Sequence, residues 1–157
     1  MRRIDRGFTL VELAIVLVVI GIIAAVAIPH YRGILRDTRA MQLVANIYAI
    51  RAGAYLYYGD NARWPAELPM GAVPPELVDK LPPGFSFVQM PYQLDWENYS
   101  NRTFPVGDPR NGIVAGISVD CRDASMLDAV VGLLGKTKVR RINARRYTLE
   151  LAGPNGI

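Results

Sequence analysis

The sequence predicts an α+β protein, with one long N-terminal helix followed by a small C-terminal sheet. Three observations carry this expectation. An apolar run from Phe8 to Ile28 passes into a segment of helical spacing that reaches Tyr58. A proline-rich connection follows. Beyond it, short stretches alternate apolar and polar residues, as half-buried strands do.

A chain of 157 residues leaves room for one domain and a membrane segment. Hydrophobic residues make up 51% of it, but they are unevenly spread. Between Phe8 and Ile28 only Thr9 and Glu12 are polar, so the remainder has an ordinary soluble composition. The net charge of +4 is uneven too: Arg2, Arg3 and Arg6 against Asp5 supply +2 of it. Overall basicity is therefore weak support for an anionic partner. Cys121 is the single cysteine, so these residues close no disulfide among themselves and must be held by packing.

As a helix, the run from Phe8 to Ile28 is about 31 Å long, enough for the hydrocarbon core of a bilayer. The arginines ahead of it favour a cytoplasmic N-terminus, with the rest of the chain across the membrane. Glu12 asks for a reason, because a carboxylate near the centre of a membrane helix costs about 2.5–3.5 kcal/mol on insertion scales. A secretory signal would be lost at a site such as Ala24-Ala25-Val26-Ala27, yet this run is long and carries a carboxylate. A plain single-pass anchor explains neither Glu12 nor the abrupt junction between Gly7 and Phe8.

The stretch Arg6-Gly7-Phe8-Thr9-Leu10-Val11-Glu12, with Gly21 and Pro29 further on, resembles the prepilin signature of type IV pilins and type II secretion pseudopilins. The match covers about residues 1–31. The resemblance implies a pilin-like fold, with the helix as a spine on a mostly antiparallel sheet. It implies cleavage between Gly7 and Phe8 by a prepilin peptidase, and N-methylation of Phe8. It also implies a filament of homo- or hetero-oligomeric pilins, built by an inner-membrane assembly platform. In such a filament Glu12 would meet the freed amine of a neighbouring subunit. That pairing reduces the penalty each buried charge suffers alone, and it fixes axial register. Gly21 and Pro29 correspond to places where family stems bend or locally melt, and proline within a helix favours a kink.

The expected division is a leader at 1–7, a transmembrane and assembly half-helix at 8–29, an amphipathic half-helix at 30–58 and a globular head at 59–157. Over residues 30–58, Ile34, Met41, Val44, Tyr48 and Tyr55, with Leu35, Ile47 and Tyr58, recur at helical spacing and predict the packing stripe. Gly59-Asp60-Asn61 ends the helix. The connection holds at most a short helix at Pro75–Leu81. Strands are expected at Phe85–Leu94, Gly112–Val119 and Arg146–Leu151, with a helix at Ala124–Leu134 between the last two.

Enzyme chemistry is not expected. His30 is the one histidine, it adjoins Pro29, and no phosphate loop, zinc spacing or cofactor motif appears. Some pseudopilins bind calcium, which draws attention to Asp108, Asp120, Asp123 and Asp128. Only Asp120 and Asp123 share a short loop, with an arginine between them, and Asp123 is better placed to cap the next helix. Lys136, Lys138, Arg140, Arg141, Arg145 and Arg146 form a cationic run without acids. It admits nucleic-acid contact, as in certain competence minor pilins. Six phosphate contacts would give a log–log salt slope of about −5. A solvated surface is the plainer reading. Cys121 reads as a buried small hydrophobe. The two sequons at Asn98 and Asn101 read as coincidence in a polar turn.

The sequence is thus read as a pilin-like structural subunit. It would stand in the bacterial inner membrane as a single pass, then in a periplasmic or cell-surface filament. The rival is a conventionally anchored or secreted periplasmic binding protein.

Overall fold

The computed structural model describes residues 8–135 and 138–153. The chain divides into two compact units, Met1–Thr38 and Arg39–Ile157. Helix α1 runs from Leu10 to Asn61 and contains Pro29. It ends where Ala62 turns to φ 52°. The amide of Asn61 caps the last turn by donating from Nδ2 to the Tyr57 carbonyl at 2.9 Å.

In the first unit the helix exposes apolar side chains on every side, among them Leu10 at 86%, Ile22 at 63% and Val26 at 72%. A helix that is hydrophobic all round needs an apolar surrounding. Among the described residues it is the helix long and apolar enough to cross a membrane.

In the second unit the sheet has five antiparallel strands in the order β1-β2-β3-β5-β4. These are β1 at Val88–Gln89, β2 at Tyr92–Asn98, β3 at Ala115–Cys121, β4 at Val139–Arg141 and β5 at Arg146–Ala152. Helix α2, Pro75–Val78, lies in the connection, and α3, Ala124–Leu134, joins β3 to β4. The expected α+β architecture is therefore present, with an antiparallel sheet. Two strand expectations need correction. The segment Phe85–Leu94 is not one strand but a hairpin, since the alternation continues across Pro91, which breaks the ladder. Strand β4 went unread because its residues belong to the cationic run, although short charged strands are common at sheet edges.

One face of the sheet carries the core. Leu94, Trp96, Ile117, Val119, Leu149 and Leu151 are all buried, and they pack with the C-terminal part of α1 and with Met126, Leu127 and Val130 of α3. The buried seam of α1 is Ala40, Leu43, Ile47, Ile50, Ala54 and Tyr57. Of the expected stripe, Ile47 lies in this seam and Val44, Tyr55 and Tyr58 pack partly buried beside it, whereas Met41 is 60% exposed and Tyr48 46%. The reason is steric. Small residues let the helix approach closely, and a Cβ on Gly53 would already lie 3.4 Å from Lys80. Within the sheet, Gly116 sits beside a register shift, and a Cβ there would meet the Leu149 carbonyl at 2.8 Å.

The seam makes a direct contrast. Ile47→Ala should cost about 2–5 kcal/mol by opening a cavity. Met41→Ala should change stability by less than about 0.5 kcal/mol. Denaturant unfolding of the full chain in detergent, followed by tryptophan fluorescence, measures both.

Candidate functional site

Two places concentrate functional chemistry, one in each unit. The first is the start of α1. Thr9 precedes the helix and Glu12 is its third residue, a spacing at which each can bond the other's backbone. Oε2 of Glu12 accepts from the Thr9 N–H at 2.8 Å and from the Thr9 hydroxyl at 2.8 Å. In return the Thr9 hydroxyl accepts from the Glu12 N–H at 3.2 Å. This reciprocal cap satisfies two of the orphan donors at the helix end. The sequence signal was Thr9-x-x-Glu12, obscured because the apolar run drew attention to charge rather than capping. Within a single chain, then, Glu12 already has partners.

Gly21 and Pro29 lie further along the same helix. A Cβ on Gly21 would meet nothing within 4 Å, so packing inside this chain does not demand glycine there. Pro29 lacks an N–H and leaves one helical carbonyl of the preceding turn without its bond. Phe8 is 82% exposed. Gly7, its expected cleavage partner, lies outside the described residues.

The second place is the outer face of the sheet, opposite the core. Alternation turns Asp95 and Glu97 of β2, Ser118 of β3, and Arg146 and Thr148 of β5 to this side. Asp95, Glu97, Ser118 and Thr148 are nevertheless buried, at 5%, 2%, 0% and 0% exposure. One guanidinium nitrogen of Arg146 donates to Oδ2 of Asp95 at 2.6 Å and also to Oε1 of Glu97. The Ser118 hydroxyl bonds the same Glu97 oxygen and lies 2.7 Å from the Thr148 hydroxyl. Glu67, from the connection after α1, accepts the backbone N–H of Asn98.

These groups border a cleft of about 560 Å³, lined on its other sides by Met70, Arg102, Arg110 and Asn143. Burial, then the neighbouring Glu97 charge, pushes the Asp95 carboxyl up to about 7 despite Arg146. Burial likewise raises Glu67. Tyr99 is raised by burial and by Glu97 at its hydroxyl, and stays neutral.

The cationic run separates into distinct roles. Arg146 serves the buried pair, and Arg140 bonds Glu150 at 2.9 Å. Arg141 lies 5.9 Å over the Tyr147 ring. Lys138 and Arg145 are exposed. Lys136 lies outside the described residues. Asp123 caps α3, accepting from the N–H groups of Ser125 and Met126 at 3.0 and 3.2 Å. Asp108 is bound by Arg110 through three contacts, and these hold its carboxyl down at about 2. Asp120 lies opposite Arg146 in the backbone register of β3 and β5, and Asp128 is exposed. Among the described residues no three histidine, cysteine or acidic side chains are grouped to hold a metal ion. Cys121 is buried at 1% exposure, and burial pushes its thiol up.

A membrane-length N-terminal helix with a polar cap, joined to a small antiparallel α+β head, defines the class to which comparison can be made. Residues 2–28 match the prokaryotic N-terminal methylation motif. The chain is 38% identical over 68 residues to fimbrial protein EcpC of Eikenella corrodens, covering 43% of this chain and 44% of that protein. It is 32% identical over 75 residues to type IV major pilin protein PilE1 of Neisseria gonorrhoeae, covering 48% and 35%. It is also 33% identical over 82 residues to type II secretion system core protein G of Klebsiella michiganensis, covering 48% and 58%. The matches thus span about half the length of these relatives, the range being 35–58%. The resemblance to type IV pilins and type II secretion pseudopilins read from the first residues is found again here. No solved structure matches the chain.

Removing Arg146 leaves two buried carboxylates without their cation. Arg146→Met should destabilise the head by about 3–5 kcal/mol. Arg145→Met, on an exposed neighbour, should cost less than about 0.5 kcal/mol. Urea titration of both variants beside the parent checks this contrast.

Proposed function

We propose that this chain is a structural subunit of a pilin-like filament, processed by a prepilin peptidase and assembled through its apolar N-terminal helix. The observation that carries the reading is the methylation motif over residues 2–28, together with a helix from Leu10 onward whose described apolar side chains are exposed within their own unit. Burying such a surface contributes about 25 cal/mol per Å², first against lipid and then against neighbouring stems. The subunit stands in the inner membrane with its N-terminus cytoplasmic, cut between Gly7 and Phe8, before it enters a periplasmic or cell-surface filament. The partners are other pilins and the inner-membrane assembly platform.

In this reading Glu12 has successive partners. Before assembly its carboxylate is satisfied by Thr9, which lowers the cost of holding it at the membrane. In the filament it meets the methylated amine of a neighbouring Phe8. The exchange is feasible because an intrachain cap contributes only about 1 kcal/mol, less than a desolvated ion pair loses when one partner is removed. Gly21, open on all sides, and Pro29 supply the bending that packing of stems requires.

Mass spectrometry of the mature N-terminus tests processing. Methyl-Phe8 is the expected start; a start near Pro29, or a retained Met1, overturns the reading. Glu12→Ala should leave insertion and cleavage intact while reducing entry into filaments at least tenfold, about 1.4 kcal/mol or more. Counting subunits in sheared filament fractions against total membrane protein measures it, and normal incorporation rejects the role given to Glu12.

A further inference from the structure

We propose that residues 67–70 form a latch over the outer-face cleft, held shut by a proton on Asp95 and released when that proton leaves. The proposal is independent of the filament reading and rests on the arrangement of the head. Asp95 and Glu97 are fixed in β2, which pairs with β3 along its whole length. Arg146 is fixed in β5 and donates to both carboxylates. Glu67 alone of the three acids comes from a loop, and its bond to the Asn98 N–H ties that loop to β2. Upstream, the Pro65 carbonyl is anchored by Nε1 of Trp96 at 3.1 Å and Nδ2 of Asn98 at 2.7 Å. Downstream, Pro69 and Met70 are exposed. Among the described residues, the hydrogen bond that ties the stretch from Glu67 to Met70 to β2 is that of the Glu67 carboxylate, with Leu68 half-buried beside it.

The charges around the latch do not balance. Three carboxylates line the cleft, and Arg146 is the guanidinium bonded to two of them, Asp95 and Glu97. Arg102 acts on Glu67 from the exposed rim, while Arg110 is committed to Asp108. Asp120 of β3 sits across from Arg146 and adds another acid on that side. Glu76 of α2 faces the same loop, accepting the Ala66 N–H at 3.3 Å. The second oxygen of Asp95, Oδ1, is buried without a hydrogen-bond partner. A fully ionised cluster leaves that oxygen charged and dry, which is costly. A proton on Asp95 removes the excess, in keeping with a carboxyl raised to about 7 by burial and by Glu97.

When the proton passes to solvent, Asp95 becomes anionic and the carboxylates repel one another. Two of them cannot move without breaking the sheet. Glu67 can, so repulsion is relieved by losing its bond to Asn98 and lifting residues 67–70. The sign follows from linkage: a carboxyl raised in the folded state stabilises the closed form at low pH, and this contribution is lost as pH rises from about 4 to about 7. Acidification closes the latch again.

The only two tryptophans, Trp64 and Trp96, flank the anchor at Pro65 and report on it. Fluorescence of the full chain in neutral detergent, titrated from pH 5 to 9, should show one transition centred near pH 7. Exchange of the Asn98 amide, which donates to Glu67, corrected for the intrinsic pH dependence, should quicken at least about tenfold across the same range. Asp95→Asn should abolish the transition and keep the latch closed throughout. Glu67→Gln, at a half-buried loop position that tolerates change better, should likewise abolish it. A flat titration of the parent chain overturns the proposal. So does a transition retained with unchanged midpoint in either folded variant.

Discussion

One helix must satisfy two surroundings, and the rest of the structure follows from that constraint. Over its first turns α1 is apolar on every side and finds no cover within its own unit. Further along, the same helix supplies the seam against which the head folds. Apolar burial drives both, but toward different partners: lipid or other stems for the first part, and a sheet and α3 for the second. Capping by Thr9 and Glu12 lets the polar start of the helix coexist with an apolar surrounding, because the unpaired N–H groups there would otherwise be left dry.

The head shows a second division, between the two faces of its sheet. The inner face is packed with aliphatic and aromatic chains around Trp96 and Ile117. The outer face is also buried in part, but by polar groups. A chain of contacts runs from Asp95 through Arg146, Glu97 and Ser118 to Thr148, drawing on three strands. Such a network is costly if one member is missing and specific if all are present. It ties β2, β3 and β5 together on the side the core does not reach.

This arrangement changes how the cationic run is understood. Six cations in a row invite a surface reading, yet the sheet draws Arg146 inward and pairs Arg140 with Glu150. What remains exposed among the described residues is Lys138, Arg140, Arg141 and Arg145, on and beside a sheet edge. Two of the positions that suggested an anionic partner, Arg140 and Arg146, form ion pairs within the sheet. Positive charges on an edge strand also discourage unwanted pairing with another sheet.

The character of the stem was legible in the amino-acid sequence alone, because hydropathy and the position of a lone carboxylate are local properties, whereas the Thr9–Glu12 cap emerged only in the structure. So were α3 and β5, whose apolar periods run without interruption. The seam of α1 was not. It depends on which side the sheet approaches, and small residues such as Ala40 and Ala54 decide that by allowing contact rather than by being hydrophobic. The pairing of Arg146 with Asp95 and Glu97 spans about half the head's sequence, and no local spacing encodes it. Only the antiparallel register, which sets β2 and β5 on either side of β3, brings those charges together around one cleft.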